Sequence, residues 1–253
     1  MKILLKIRYN GAGYCGFQTQ PNGITVQAVL TEAFSRLFGF PCHVTGCSRT
    51  DSGVHALGFC ATVTPADASV SDTDWCRVPV GKIHRAINVL LPDDIAVIAA
   101  AHVADDFHPR YNVVSKTYEY RILNRQMRMP TRRLDTYFFH YPLDVEAMKE
   151  AAQYLVGEHD FQSFCSANSQ AETTVRTIYS CSVEKEGDII YIRVTGGGFL
   201  YNMVRIIAGT LIKVGNGDLV PEDMKTIIDA CDRSKAGPTA PAHGLTMIGL
   251  EYE

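Results

Sequence analysis

The sequence predicts an α+β fold with a mainly antiparallel sheet, and three observations carry this prediction. Several short runs alternate apolar and polar residues, which is the periodicity of a half-buried strand. Two segments with helical apolar spacing start at residues that can cap a helix, Thr25 and Asp144. Strand-like runs at 175–183 and 189–194 flank residues 186–188, whose Gly and Asp indicate a hairpin turn.

Composition places the chain among ordinary globular proteins. Of its 253 residues, 46% are hydrophobic and 20% are charged, which is enough apolar material for one large core or two small ones. The formal net charge is −3, so the overall charge does not indicate a nucleic-acid partner. An RNA ligand would therefore require a local basic face.

The cysteines and the N-terminus bear on the compartment. None of the eight cysteines forms a C-x-x-C pair and most lie in apolar runs, which predicts buried free thiols of a reducing cytosol. The charges of Lys2 and Lys6 interrupt the N-terminal apolar run too early for a signal peptide. No apolar run approaches the ~20 residues of a membrane span. We expect a cytoplasmic protein without a membrane segment.

The elements of the first half follow from apolar periodicity. Alternation from Ile3 to Tyr9 predicts a strand with one solvated face. Thr25 can cap a helix that Gly39 ends. In order, the expected elements are a strand at residues 3–9, a helix at 26–38, strands at 42–45 and 59–63, a polar surface loop at 65–74, an interrupted helix at 75–91 and a strand at 95–101.

The second half repeats this order of elements. Residues 199–211 predict a helix that is apolar almost all round and therefore buried. The expected elements are a strand at residues 115–122, a helix that starts after 144 and stops at 157, strands at 175–183 and 189–194, helices at 199–211 and 221–231, and a strand at 245–252. Each half ends in a strand, so we place a boundary near Asp105, which gives halves at residues 1–104 and 105–253.

Residues 11–16 form a literal G-x-G-x-x-G pattern directly after the first strand. A dinucleotide site would require a helix to start there, because the helix N-terminus binds the pyrophosphate. Residues 17–23 instead carry Pro21 and Gly23 and predict a loop. The pattern therefore does not predict a nucleotide cofactor.

A long polar connection at residues 46–56 separates two of the short strands. It carries Arg49, Asp51 and His55, and Asp51 is the only carboxylate in the run 33–66. Charged side chains on a loop between strands are candidates for catalysis. The alternative is an Asx-turn, in which Asp51 only accepts hydrogen bonds from the following backbone.

Arg205 is unusual because it lies within the apolar helix predicted at residues 199–211. A buried guanidinium needs a carboxylate or several acceptors, since an unpaired charge in an apolar interior is very costly. Arg205 is therefore a second candidate for a functional side chain.

A basic run extends from Arg110 to Arg133, with seven cations and one anion, Glu119. It indicates a nucleic-acid face, although a basic run is often only a solvated surface. Tyr118 and Tyr120 share one face of the strand within this run. They can stack on bases, or they can be ordinary core residues of a sheet.

Together these motifs resemble the tRNA pseudouridine synthase A family. The strongest block is Arg-Thr-Asp-x-Gly-Val-His-Ala at residues 49–56; Ser48 replaces the usual Gly and Ser52 the usual Ala, both small for small. Further similar blocks are Gly16-Phe17-Gln18, Asn88-x-x-Leu91-Pro92, Phe107-His108-x-Arg110, Tyr118-x-Tyr120, residues 159–164, Phe199-Leu200-x-x-Met203-Val204-Arg205 and residues 239–245.

The resemblance implies a pseudouridine synthase fold: two similar α+β halves that share a continuous mixed, mainly antiparallel sheet with a central cleft. It implies isomerisation of uridine to pseudouridine at positions 38, 39 and 40 of the tRNA anticodon stem-loop. It also implies a homodimer that binds tRNA, needs no metal or organic cofactor, and has no DNA partner.

The same resemblance assigns roles to individual residues. Asp51 is the expected nucleophile, Arg205 its ion-pair partner, and Tyr118 the residue that stacks on the flipped base. A largely closed pocket would raise the pKa of the Asp51 carboxyl by desolvation, and an adjacent arginine opposes that shift. The residues expected to bind the substrate are Tyr118, Arg49, Arg110, His55 and Leu200.

Three other functions stay open at this point. A non-catalytic RNA-binding α+β module would keep the basic run and Tyr118, but it has no use for Asp51 paired with Arg205. A paralogue would modify other tRNA uridines. A glycosidase-like hydrolase normally needs two carboxylates at the scissile bond, and Asp51 is the one clear candidate in this sequence.

Overall fold

The computed structural model of the chain describes residues 2–67, 70, 75–167 and 171–253. These residues include ten β-strands and five α-helices. The strands are β1 (Lys2–Tyr9), β2 (Cys42–Gly46), β3 (His55–Pro65), β4 (Ile95–Val103), β5 (Val113–Asn124), β6 (Tyr137–Phe139), β7 (Gly157–Asp160), β8 (Val175–Glu186), β9 (Ile189–Gly196) and β10 (Leu245–Tyr252). The helices are α1 (Val26–Phe38), α2 (Ile83–Asn88), α3 (Val145–Gln153), α4 (Met203–Gly215) and α5 (Asp223–Ala230).

The first of two compact units comprises Met1–Val114 and Met247–Glu253. Its strands lie in the order β4-β1-β3-β10, with β2 paired to β3, and β1 is antiparallel to both of its neighbours. Helix α1 packs against β2, and helix α2 packs against β4. Ile3, Leu5 and Ile7 are fully buried, because alternate residues of β1 face the core.

The second unit comprises Ser115–Thr246. Its strands lie in the order β5-β9-β8-β7, all antiparallel, and β6 pairs parallel with β5. Helix α3 packs against both β8 and α4. The α+β class and the mixed, mainly antiparallel pairing are therefore confirmed. The division into halves at residue 104 stays a prediction.

The first helix matches its prediction at both ends. The hydroxyl of Thr25 accepts a hydrogen bond from the N–H of Ala28, and Gly39 ends the helix with a φ of 81°. A positive φ is readily adopted by glycine because it has no Cβ. Asp144 likewise caps α3, by accepting from the N–H groups of Glu146 and Ala147.

Other boundaries differ from the prediction. The helix expected at residues 75–91 is reduced to α2 and a short 3-10 turn before it, because Pro79 and Gly81 oppose a regular helix. Helix α4 begins at Met203 rather than at residue 199. The short strands β6 and β7 were not predicted. The predicted surface loop at 65–74 lies largely outside the described residues.

All eight cysteines lie among the described residues, and all are free thiols. Five are buried, while Cys15, Cys76 and Cys231 are half-buried. Burial raises the pKa of Cys42 to about 11 and that of Cys181 to about 12. These two thiols are therefore protonated at neutral pH and are poor nucleophiles.

Candidate active site

The Asp51 loop occupies residues 47–54, between β2 and β3. The N–H of Cys47 donates to the carbonyl of Cys60 at 2.9 Å, which closes the loop at its base. The N–H of Val54 donates to the backbone carbonyl of Asp51 at 3.1 Å, and Gly53 between them has a φ of 82°. Asp51 is half-buried at this turn. Because β3 already begins at His55, the loop is shorter than the sequence alone predicts.

The glycine-rich loop at residues 10–18 packs directly on the Asp51 loop. A Cβ added to Gly11 would lie 1.9 Å from the carbonyl oxygen of Val54, and one added to Gly16 would lie 2.6 Å from that of Thr50. The N–H of Phe17 donates to the same Thr50 carbonyl at 3.1 Å. The G-x-G-x-x-G pattern therefore allows two backbone segments to approach closely.

Tyr14 also supports the Asp51 loop, through its backbone carbonyl and its side chain. The carbonyl of Tyr14 accepts from the N–H of Gly53 at 3.3 Å and from the hydroxyl of Ser52 at 3.1 Å. The Tyr14 hydroxyl donates to Asp94 at 2.6 Å. Burial, then the hydrogen bond and the charge of Asp94, raise the pKa of Tyr14, so its phenol stays protonated. Asp94, two residues after the Asn88-x-x-Leu91-Pro92 block, thus anchors the glycine-rich loop.

His55 is buried at the first position of β3, with 6% of its surface exposed. Its Nδ1 accepts a hydrogen bond of 3.0 Å from the N–H of Gly11. An accepting Nδ1 carries no proton, so the neutral ring bears its proton on Nε2. One edge of His55 therefore connects the two loops, and a substrate contact by this residue stays a prediction.

In the second unit, Tyr118 lies on β5 opposite Val194 of β9 and is 7% exposed. Its ring meets that of Phe199 edge to face, with centroids 5.2 Å apart and planes at 83°. Leu200, the next residue, is 6% exposed, and its N–H points at the sulfur of Met203 at 3.5 Å. The segment that leads into α4 therefore packs on the predicted stacking residue.

Arg205 lies in the first turn of α4 and is half-buried. Its Nε donates to the carbonyl of Ala240 at 2.7 Å, and its Nη1 donates to Oδ1 of Asn202 at 2.6 Å. The N–H of Ala240 in turn donates to the Arg205 carbonyl at 3.1 Å. Backbone and amide oxygens thus satisfy part of the hydrogen-bonding need that the sequence predicted for a buried guanidinium.

Helix α4 is held against the segment that contains Ala240 by close backbone contact. A Cβ at Gly209 would lie 1.9 Å from the carbonyl oxygen of Pro238. The N–H of Gly237 donates to Oγ1 of Thr210 at 2.9 Å. Residues 237 and 238, together with Ala240, therefore hold the helix that carries Arg205.

The basic run is partly neutralised within the second unit. Glu119, which is 5% exposed, accepts from both Arg121 and Arg193 at 2.7 Å. Arg125 pairs with Asp188 at 3.2 Å, and Arg132 pairs with Asp135 at 2.8 Å. Three of the run's seven cations are thus ion-paired, Arg121 with the run's own Glu119 and Arg125 and Arg132 with aspartates that lie outside the run.

Arg49 and Arg110 are exposed in the first unit. The Arg110 guanidinium lies 5.9 Å from the centroid of the Tyr111 ring, and the backbone N–H of Arg110 donates to Nδ1 of His108 at 3.1 Å. Burial, then the charges of Lys2 and Arg110, lowers the pKa of His108. His108 is therefore mostly neutral at pH 7 and holds the backbone of Arg110 without adding charge.

Comparison with known proteins now identifies the chain. A family model described as tRNA pseudouridine synthase matches residues 6–112 and 151–253. This chain belongs to the tRNA pseudouridine synthase family. The matched ranges contain the Asp51 loop and its supporting glycines, as well as Arg205, whereas Tyr118 lies in the unmatched stretch between them.

Curated relatives match over nearly the whole chain. The tRNA pseudouridine synthase A of Thermoanaerobacter sp. (strain X514) is 43% identical over 250 residues, covering 99% of each protein. That of Brevibacillus brevis is 44% identical over 246 residues, covering 97% of each. A chain of a Cbf5-Nop10-Gar1 complex aligns with 83% of this chain and 45% of its own length, at 13% identity and a TM-score of 0.35, which is too weak a likeness to inform on function.

Family membership makes the protein an isomerase that acts on tRNA uridines. Membership in this family therefore excludes both the non-catalytic RNA-binding module and the glycosidase-like hydrolase. Among the described residues, no helix is long and apolar enough to cross a membrane. The same residues contain no cluster of three or more His, Cys, Asp or Glu that could hold a metal ion.

Proposed function

We propose that this protein converts uridines 38, 39 and 40 of the tRNA anticodon stem-loop to pseudouridine, with Asp51 as the nucleophile. The observation that carries the proposal is the Asp51 loop itself. In a chain of this family, one half-buried carboxylate lies on a loop that a second, glycine-rich loop supports by backbone contact. Such support holds a catalytic group in a fixed geometry.

The reaction explains why one carboxylate is sufficient. The C1′–N1 bond breaks, the uracil turns, C5 bonds to C1′, and the hydrogen of C5 leaves as a proton. N1, freed from the sugar, takes up a proton in exchange, so the product is an isomer of the substrate. Asp51 acts either by forming a covalent adduct or as a base, and it must be ionised to do either.

The uridine must first leave its stem. A paired base is flipped out at an unstacking cost of a few kcal/mol. Tyr118 offsets this cost by stacking on the flipped base, since stacking on an aromatic ring contributes ~1–3 kcal/mol. The edge-to-face contact with Phe199 supports the proposal, because it holds the Tyr118 ring in one orientation.

Arg205 is the proposed ion-pair partner of Asp51. A guanidinium beside a carboxylate favours the ionised form and so keeps Asp51 reactive at neutral pH. In the further assignment, Arg49 contacts RNA near the position that the base vacates. His55, Leu200 and Arg110 complete the substrate-binding set.

The tRNA body would bind to exposed cations of the basic run. Arg128 and Arg133 are exposed, and Arg128 lies 5.5 Å from the centroid of the Phe138 ring. We assign them to the RNA-binding face together with Arg110, and we expect Arg121, Arg125 and Arg132 to contribute less because they are ion-paired. The protein would act in the cytoplasm as a homodimer, without a cofactor.

One experiment tests the activity and the nucleophile together. Transfer RNA from a strain that lacks this gene, tritiated at uridine C5, is incubated with wild-type protein, with Asp51→Asn, and with the control Asp93→Asn at an exposed aspartate. Wild type and control should release tritium without free uracil, and the pseudouridines should map to positions 38–40. Asp51→Asn should bind tRNA and release no label. Pseudouridine formation by Asp51→Asn would contradict the assignment of Asp51 as the nucleophile. Pseudouridine at other tRNA positions would identify the protein as a paralogue.

A further inference from the structure

Asn202 has an unusual backbone conformation directly before α4. Its φ is 61°, and in the described residues the one other non-glycine with a positive φ is Cys231. The left-handed region is costly for a residue with a Cβ, although asparagine tolerates it better than most. Residues held in such conformations cluster at functional sites, so Asn202 is a candidate for a functional role.

The side chain of Asn202 does not cap its helix. An asparagine at this position normally accepts a hydrogen bond from the N–H groups of the first turn, but Asn202 makes no such bond. Its Oδ1 instead accepts from Nη1 of Arg205 at 2.6 Å, and its Nδ2 donates to Oγ of Ser166 at 2.9 Å. The N–H of Ser166 donates to the carbonyl of Tyr201 at 3.1 Å. Ser166 therefore holds the Nδ2 end of the Asn202 amide, and the Oδ1 end faces Arg205.

We propose that Asn202 is a positioning residue for Arg205. The guanidinium is a planar fork with five N–H donors. Ala240 fixes its Nε edge and Asn202 fixes Nη1, so both the plane and the rotation of the fork are set before RNA arrives. These two bonds use two of the five donors and fix the direction of the others. This inference rests on the proposed role of Arg205 in catalysis.

The left-handed backbone is what makes this contact possible. With an ordinary helical N-cap, the side chain would face the N–H groups of its own first turn. At a φ of 61° it instead reaches Arg205, three residues along the chain. The N–H of Ile206 still donates to the Asn202 carbonyl at 3.0 Å, so the helix begins at the normal backbone position.

The test separates the side chain from the backbone. Asn202→Gly keeps the positive φ at low cost and removes the amide. Its single-turnover rate at saturating tRNA should fall about tenfold, because a hydrogen bond to a charged group is lost, while melting temperature and tRNA affinity stay near wild type. Ser166→Ala, which frees the other end of the amide, should produce a smaller fall in the same direction. Asn216→Gly at the exposed C-terminal end of α4 is the matched control.

A double-mutant comparison decides whether Asn202 acts through Arg205. Arg205→Lys keeps a charge but has no Nη1, so adding Asn202→Gly to it should cost far less than it costs in the wild type. An equal cost in both backgrounds would overturn the proposal, as would a wild-type rate for Asn202→Gly. If Arg205→Met reacts at the wild-type rate, the proposed role of Arg205 in catalysis is wrong. If Arg205→Met is inactive but Asn202→Gly reacts at the wild-type rate, the role of Arg205 stands and only the positioning role of Asn202 is wrong.

Discussion

The backbone N–H of Gly11 donates a hydrogen bond of 3.0 Å to Nδ1 of His55, which joins the glycine-rich loop to the end of the Asp51 loop. The same glycine leaves no room for a side chain, since a Cβ there would meet the carbonyl of Val54 at 1.9 Å. The two loops therefore form one packed unit, and the geometry around Asp51 depends on a glycine 40 residues earlier in the sequence.

Gly11→Ala should damage the site without touching Asp51. The methyl group meets backbone rather than a mobile side chain, so one of the loops must move, at a cost of ~1–3 kcal/mol for overpacking. We expect the single-turnover rate to fall at least about tenfold and the melting temperature to fall by several degrees. Gly13→Ala is the control, because no atom lies within 4 Å of its added Cβ. Equal rates for the two variants would contradict the supporting role of Gly11.

Sequence reasoning succeeds where the signal is local. The capping threonine and terminal glycine of α1 determine both ends of that helix, because each acts on its own neighbouring backbone. It fails at α4, where apolar spacing continues through Phe199 and Leu200 although the helix starts only at Met203. Periodicity reports burial, and a buried extended segment is as apolar as a buried helix.

The contacts that hold the Asp51 loop and helix α4 could not be predicted from the sequence, for a different reason. The roles of Gly11 and Gly209 depend on contacts with Val54 and Pro238, which lie far away in the chain. A glycine in a sequence signals a special backbone position but does not identify the segment that approaches it. The motifs could therefore be found, while the function of the glycine-rich loop as a support for Asp51 could not.

Substitutions at Tyr118 should separate stacking from the hydroxyl group. Tyr118→Phe keeps the ring and should keep tRNA affinity and much of the activity. Tyr118→Leu removes the ring and should lose both, because base stacking contributes ~1–3 kcal/mol. Tritium release and tRNA affinity are the measurements, with Tyr179→Leu on the exposed side of β8 as a control. A wild-type rate for a stably folded Tyr118→Leu would make Tyr118 an ordinary core residue.

The protein should be a homodimer in solution. We infer this from the family resemblance, in which tRNA binds across two subunits, and from the basic run of one chain, which is short for a tRNA in a protein of net charge −3. Light scattering at micromolar concentration should give a mass twice the 27.9 kDa of the chain. A single species at 27.9 kDa would argue against a dimer, and tRNA-binding stoichiometry then shows how many chains one tRNA needs.

Arg205→Met is the sharpest test of the proposed ion pair. Methionine fills similar apolar space on α4, so packing should largely survive. If Asp51 faces Arg205, loss of the positive charge raises the pKa of the Asp51 carboxyl, because desolvation is no longer opposed. A raised pKa means that a smaller fraction of Asp51 is ionised at neutral pH, so the single-turnover rate should fall there and recover partly as pH rises.

The extent of that recovery separates two roles of the arginine. Full recovery at high pH indicates that Arg205 only keeps Asp51 ionised, whereas incomplete recovery indicates that its fork also orients the carboxylate, as the contacts with Ala240 and Asn202 suggest. Lys213→Met removes a positive charge from the last turn of the same helix and should leave the pH profile unchanged. An unchanged rate and pH profile for folded Arg205→Met, saturated with tRNA, would refute the pair, because a carboxylate that loses its charged partner cannot keep the same pKa.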